Sequence, residues 1–241
     1  NYNQGTPERP SIFRTTNGGG QSWSKVYESD YDGVIEDLIS DPFDFRFQYA
    51  TLNGEGVIRS SDGGLTWSKN AGSFKGVGRM EIAVSFSDPS RLYISAEGGS
   101  SGSGSTLYIS RDNGESWNAA SESNGKPINW LGGQGWYDNT IAVNPFDENQ
   151  VFVGGINIWR IDVNSDNSIK TTNITDGYGQ YGGSSKGVHV DQHNIVLVPV
   201  NAQTNQFRMI NCNDGGVSYS DNGGQTFTQT ENGYNTSQFY G

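Results

Sequence analysis

The sequence predicts an all-β fold, a β-propeller of four-stranded antiparallel blades. Three observations carry that prediction. A glycine-rich turn closed by an aromatic residue returns four times along the 241 residues. A second turn, built on Asp-Pro or Asn-Pro, returns between apolar runs. Thirty-four glycines with a hydrophobic fraction of 32% suit many short strands joined by turns, with little helix. Self-similarity at this period means stacked or radially arranged units.

The clearest copies of the first turn are Asp62-Gly63-Gly64-Leu65-Thr66-Trp67 and Asp112-Asn113-Gly114-Glu115-Ser116-Trp117. Two copies read as one residue longer, running from Asn17 to Trp23 and from Asp221 to Phe227. Glycine supplies positive φ and the Asp or Asn side chain bonds backbone N–H groups two residues on, which is hairpin-turn chemistry. The closing aromatic starts the next strand and is expected to wedge between neighbouring sheets. Upstream, Asp41-Pro42, Asp88-Pro89 and Asn144-Pro145 each separate two apolar runs: 34–39 from 47–50, 80–86 from 92–94, and 140–143 from 151–154. The unit therefore reads strand, Asp-Pro turn, strand, loop, strand, glycine turn, strand, which is one propeller blade.

One unit lacks the glycine turn: Ile158-Trp159-Arg160 leads into 162–166 with neither a glycine pair nor a closing aromatic. Residues 11–27 supply only an outer hairpin, and 236–241 read as the opening of a new inner strand. The count is about four full blades plus partial ones. Residues 1–241 are thus expected to form one propeller domain, a segment or arc of a larger ring, with a small five-bladed ring as the alternative.

The repeated turn resembles the Asp-box, or bacterial neuraminidase repeat, of sialidases, sortilin-type receptors, xyloglucanase-type glycoside hydrolases and secreted bacterial propellers. Asn213-Asp214-Gly215-Gly216-Val217, followed by another box, is most similar to the last group. The resemblance implies structural roles for Asn17, Trp23, Asp62, Trp67, Asp112, Trp117, Asp221 and Phe227, on outer hairpins away from the ligand mouth. It also implies a secreted, extracellular or cell-surface location, with the periplasm as a variant.

A net charge of −11 argues against nucleic acid as a partner, which wants a basic face. No apolar run is long enough to span a bilayer. The single Cys212 excludes an internal disulfide framework. No Ser/His/Asp triad, zinc spacing or phosphate loop is present, so neither cofactor nor metal is expected.

Ligand chemistry is expected at the mouth, where loops 28–34, 70–79, 119–138 and 171–188 enter the innermost strands. Trp130, Trp136 and Tyr137 fall on one of these loops and Tyr178 and Tyr181 on the next. Such rings serve as sugar platforms or as covers for the blade ends. Glu36, Asp37, Glu81, Asp138 and Asp191 lie near inner-strand starts, where paired carboxylates are the usual glycosidase machinery. Asp37 and Asp138 are the catalytic candidates. The xyloglucanase-like resemblance implies catalytic aspartates a few residues before an Asp-Pro turn, and the offsets to Pro42 and Pro145 differ. His189-Val190-Asp191-Gln192-His193 holds both histidines; on a strand His189, Asp191 and His193 would stand in one row. That row would serve packing, ligand contact or a transition metal.

Two functions follow as expectations. One is a recognition or scaffold module whose partners are the rest of a larger propeller, other domains of the parent protein, or a glycan or protein ligand. The alternative is a glycoside hydrolase with paired carboxylates at the mouth.

Overall fold

In the computed structural model, residues 9–19, 21–70, 74–99 and 104–230 are described. The tip of the 98–105 loop and the expected strand at 236–241 lie outside them. Nineteen strands and no helix are found among the described residues. An outer hairpin of β1 (Ser11–Arg14) and β2 (Ser24–Glu28) comes first. The first blade is β3 (Ile35–Ser40), β4 (Gln48–Leu52), β5 (Gly56–Ser60) and β6 (Ser68–Lys69). The second is β7 (Val77–Val84), β8 (Leu92–Gly98), β9 (Ser105–Ser110) and β10 (Asn118–Ala119). The third contains β11 (Ser121–Glu122), β12 (Thr140–Val143), β13 (Gln150–Gly154), β14 (Ile158–Val163) and β15 (Ser168–Asn173). The fourth is β16 (Gln192–Asn201), β17 (Gln206–Asn213), β18 (Gly216–Ser220) and β19 (Thr228–Gln229). The first strands of successive blades lie side by side, β3 by β7, β7 by β12 and β12 by β16, so they are the inner strands of an arc.

Alternate residues of the middle strands feed alternate seams, as a period of two requires. On β8, Leu92, Ile94 and Ala96 pack with Tyr49 and Val57 of the first blade, while Tyr93 turns to Val151, Val153 and Ile161 of the third. On β13, Phe152 turns instead to Ile195, Phe207 and Met209 of the fourth. The second and third blades thus bury both faces between neighbours, which is why their strands read as continuous apolar runs.

The Asp-Pro turns form as expected. Asp41 Oδ1 accepts from the Phe43 and Asp44 amides at 2.7 and 3.0 Å, and Asn144 Oδ1 from Phe146 at 3.0 Å. In the second blade's box, Ser110 Oγ accepts from Gly114 N at 2.9 Å and donates to Asp112 Oδ1 at 2.8 Å, and Asp112 Oδ1 takes Ser116 N at 2.9 Å. Because Ser110 is buried and Gly114 N has no other partner there, Ser110→Ala is expected to cost about 1–3 kcal/mol in a urea titration. A loss below about 0.3 kcal/mol would mean the turn is held by its glycines alone.

Four expectations need correction. In the last box the acceptor is Asn222, not Asp221: Ser220 Oγ donates to Asn222 Oδ1 at 2.9 Å, and Asn222 Oδ1 accepts Thr226 N at 3.0 Å. This box therefore has the length of the clear copies, and Asp221 is free to bind Arg208 at 2.7 and 2.8 Å. The third blade has five strands because β11 pairs parallel with β15, where Ser121 and Glu122 face Ser168 and Ile169. Its degenerate turn still closes a tight hairpin, with Asn167 at φ +64° and Asn164 N bonding Ser168 O at 2.8 Å. Trp117 is wedged between blades at 8% exposure, but Trp23 is 58% exposed, since among the described residues no sheet covers the outer side of β1–β2. Finally, Asp191 sits before β16 with φ +66°, so the row of His189, Asp191 and His193 does not form.

Arginines cross the rim between units. Arg14 Nε donates to Gly63 O at 2.9 Å, Arg59 reaches Glu115 at 3.5 Å, and Arg111 bonds Asn164 O at 3.0 Å and Asn167 Oδ1 at 2.9 Å. Arg14 and Arg59 lie on the strand before a box and Arg111 lies within one, and each reaches the next unit's outer turn.

Candidate functional site

The inner-strand starts bring one acidic group or pair from every blade to one end of the arc. On β7, residues two apart share a face, so Arg79 folds onto Glu81: Nε and Nη2 donate to Glu81 Oε1 at 2.9 and 2.8 Å. Its remaining arm, Nη1, donates to Tyr137 O at 2.7 Å and ties the second blade to the long 119–138 segment. Asp37 stands beside Glu81 and accepts from Ile82 N at 3.2 Å. Burial, and then the neighbouring charge of Asp37, push Glu81 up to about 7 despite Arg79. Burial raises Asp37 as well.

Asp138 is fully buried, and neither of its carboxyl oxygens has a hydrogen-bond partner. Burial, and then the nearby Asp191, push its carboxyl up to about 7. An unpaired carboxylate in such a place is costly, so the site favours the neutral acid near pH 7. Beside it, Asn139 Nδ2 donates to Ser95 O at 2.9 Å and closes the seam between the second and third blades.

Next to these acids stands a polar and aromatic group. Asp214 is the tip of the two-residue hairpin joining β17 to β18. It accepts Tyr137 Oη at 3.0 and 3.1 Å, and His193 Nε2 lies 2.6 Å from its Oδ1. The Tyr137 and His193 rings meet edge-on at 5.0 Å, and Trp136 lies against Tyr137 at 5.6 Å, 67% exposed. An open indole with acceptors around it is the arrangement a sugar face binds.

Of the other expected site residues, Trp130, Tyr178 and Tyr181 are placed apart from this group, while His189 packs on Gly215 beside Asp214. Trp130 is a core side chain of the seam between blades two and three, 3% exposed, its Nε1 donating to Ser95 Oγ at 3.0 Å. Tyr178 and Tyr181 are exposed on the following loop, where Tyr181 packs edge-on against Trp159 at 4.7 Å. His189 is exposed and lines a separate 230 Å³ hollow with Asn213 and Gly215. No group of three or more His, Cys, Asp or Glu among the described residues is arranged to hold a metal ion. At the end of β15, Asn173 Nδ2 is buried, and Thr175 Oγ1 accepts Ile158 N at 2.9 Å. Sequence reasoning missed Asp214, Arg79 and Trp136's prominence over Trp130. The i, i+2 spacing of Arg79 and Glu81 was a usable signal.

The sortilin model, described as "Sortilin, neurotensin receptor 3", matches residues 11–210. The chain belongs to the Sortilin-Vps10 family. This family membership accounts for the repeated box and for the propeller blades. No curated protein matches the chain in sequence. Among solved structures it is similar to a GH74 enzyme of Niastella koreensis, with 20% identity over 81% of this chain and 29% of that one, at a TM-score of 0.54. YCF48 from Cyanidioschyzon merolae aligns at 14% identity over 86% of this chain and 59% of that one, with TM-score 0.52. An auxiliary nutrient binding protein from Bacteroides thetaiotaomicron aligns at 10% identity over 86% and 48%, with TM-score 0.55. These likenesses concern the fold, and the chain spans between 29% and 59% of these solved relatives. No helix among the described residues is long and apolar enough to cross a membrane.

Proposed function

We propose that this chain is part of an extracellular recognition module, an arc of a larger propeller whose mouth binds a glycan. The observation that carries this reading is the open Trp136 ring on Tyr137, whose hydroxyl is fixed by Asp214. Protein recognition sites also use exposed aromatics, but a flat ring edged by carboxylates and an imidazole suits hydroxyl-rich ligands best. Support for an arc comes from the two end faces. Phe13 and Trp23 at one end, and Val196, Val198 and Val200 at the other, are exposed where a further blade would bury them. The rest of the ring, or other domains of the parent protein, are therefore its proposed partners. Cell-surface or secreted location belongs to the same reading and is tested by fractionating cells that carry the native protein.

Titration calorimetry against plant and microbial oligosaccharides tests the glycan site. Binding in the micromolar to millimolar range is expected, weakened at least tenfold by Trp136→Ala. Unchanged affinity in that variant would remove the shelf from the site.

A second reading, glycoside hydrolysis, is favoured by one observation: Glu81 is held at about 7 beside Asp37. A carboxylic acid still protonated near neutrality, next to a second carboxyl, is the pair that glycoside cleavage uses. Both are half-buried rather than closed off, unlike Asp138. Reducing-sugar release abolished by Glu81→Gln and Asp37→Ala would establish it; turnover that survives both would dismiss it.

A further inference from the structure

Carboxyl groups from all four blades meet at the mouth: Asp37, Glu81, Asp138, Asp191 and Asp214. The guanidinium among them, Arg79, already has its donors on Glu81 and on Tyr137 O. Buried carboxylates are ordinarily paired or hydrogen-bonded. Here Asp138 is fully buried with no donor on either oxygen, its side-chain neighbour being a second acid, Asp191, whose Oδ1 is likewise buried without a partner. Asp138 follows Tyr137, whose O takes Arg79 Nη1, and Asp191 directly precedes β16, so both acids stand at inner-strand starts with the rest of the group. The site thus carries acceptors and negative charge beyond what its own residues balance, next to an open indole.

We propose that the mouth selects a glycan bearing free ammonium groups, an amino sugar, over neutral or N-acetylated sugars. This rests on the glycan reading above and names the sugar class. An ammonium brings three donors and a positive charge, which fits this surplus of acceptors where a hydroxyl brings one donor and no charge. The apolar face of the same sugar ring lies on Trp136, and a cation near that ring is further stabilised. Closed off from solvent and protonated in the free protein, Asp138 acts on the ligand through Asp191, while Asp191, Glu81 and Asp214 are the contact groups. A peptide with basic side chains would meet the charge but leave the flat shelf and its ring of acceptors less well used.

Protonation supplies an independent readout. Glu81 faces Asp37, Glu36 and Arg79, and Asp138 faces Asp191 and Arg79. A bound ammonium favours their ionised forms, so binding at pH 7 releases protons and its heat varies with the ionisation enthalpy of the buffer.

The experiment is calorimetric titration of the intact protein with a glucosamine tetramer, its N-acetylated counterpart, cellotetraose and a pentalysine peptide. The amino tetramer is expected to bind at least tenfold tighter than the two uncharged tetramers, with proton release. Trp136→Ala and Glu81→Gln, each checked by thermal melt for folding, should each remove most of that preference. Equal binding of all three saccharides would overturn the amino selectivity and leave the glycan site standing. Binding of no saccharide would remove the glycan site itself. Pentalysine binding as tight as the amino tetramer, or amino-tetramer binding that survives both substitutions, would reduce the effect to attraction toward the chain's charge of −11 and overturn the proposal.

Discussion

Trp117→Ala is expected to lower stability by about 3–5 kcal/mol, a large share of the roughly 5–15 kcal/mol that holds a typical domain together. The ring closes the second blade's box and lies in the seam with the first blade, 6.1 Å from Phe74 and in the same cluster as Tyr49 and Tyr108. Tyr49 and Tyr108 are strand side chains whose backbones are fixed by ladders on both sides, so they have little freedom to collapse into the void. For a chain of this size the loss corresponds to a melting point lower by about 10 °C. Trp117→Phe should cost much less, because the indole Nε1 is buried without a partner and its removal leaves nothing newly unsatisfied. Trp23→Ala is the built-in control, since that ring is mostly in solvent and its loss should stay within about 1 kcal/mol. Equal effects at positions 23 and 117 would contradict the assignment of box aromatics to the seams.

The second large effect is in the pH dependence. Glu81 and Asp138 both keep their protons to about pH 7 in the folded chain, whereas unfolded they ionise near pH 4. Their stabilisation is complete below the unfolded values and is lost as pH rises toward the folded ones, at about 1.4 kcal/mol per pH unit for each group. Unfolding free energy should therefore fall by up to about 8 kcal/mol between about pH 4 and pH 7, less what solvent screening removes, then level off. An opposite trend governs the rim: Asp62, held at about 2 by hydrogen bonds from Thr66 and Ser60, loses its contribution only in stronger acid. A maximum near pH 4–5 is the expected outcome in denaturant titrations. Asp138→Asn keeps the shape and removes the charge, so it should stabilise the chain by about 3 kcal/mol at pH 7.5 and change little at pH 4. Destabilisation by that variant at pH 7.5 would show that the carboxylate is paired after all.

Most of the architecture was legible because it is written in local chemistry. The Ser-x-Asp turn, the Asp-Pro corner and the two-residue strand period each act within about eight residues, and the blades follow from their repetition. The choice between Asp221 and Asn222 was also within reach, since Ser60-x-Asp62 and Ser110-x-Asp112 fix the offset that Ser220 shares only with Asn222. What sequence withheld was non-local. Strand β11 is two residues long and finds a parallel partner some 47 positions later in Ser168, with no periodic signal of its own. Trp130 and Trp136 sit six residues apart in a stretch without repeat structure, so nothing in their spacing says that one is core and the other open. The acids at the mouth were legible as a group. Their pairing of Asp37 with Glu81 and Asp138 with Asp191 depended on how adjacent blades sit, which no single strand encodes.

The forward-reaching arginines have a consequence for how such a chain grows. Arg14, Arg59 and Arg111 each act on the outer turn of the unit that follows, Arg14 and Arg111 on a backbone carbonyl and Arg59 on the Glu115 carboxylate. Every unit in that run thus carries a plug on one side and a socket on the other. Duplication or deletion of a whole unit would leave both fittings matched at the new junction, so ring size can drift through gene-level copying while the joints stay compatible.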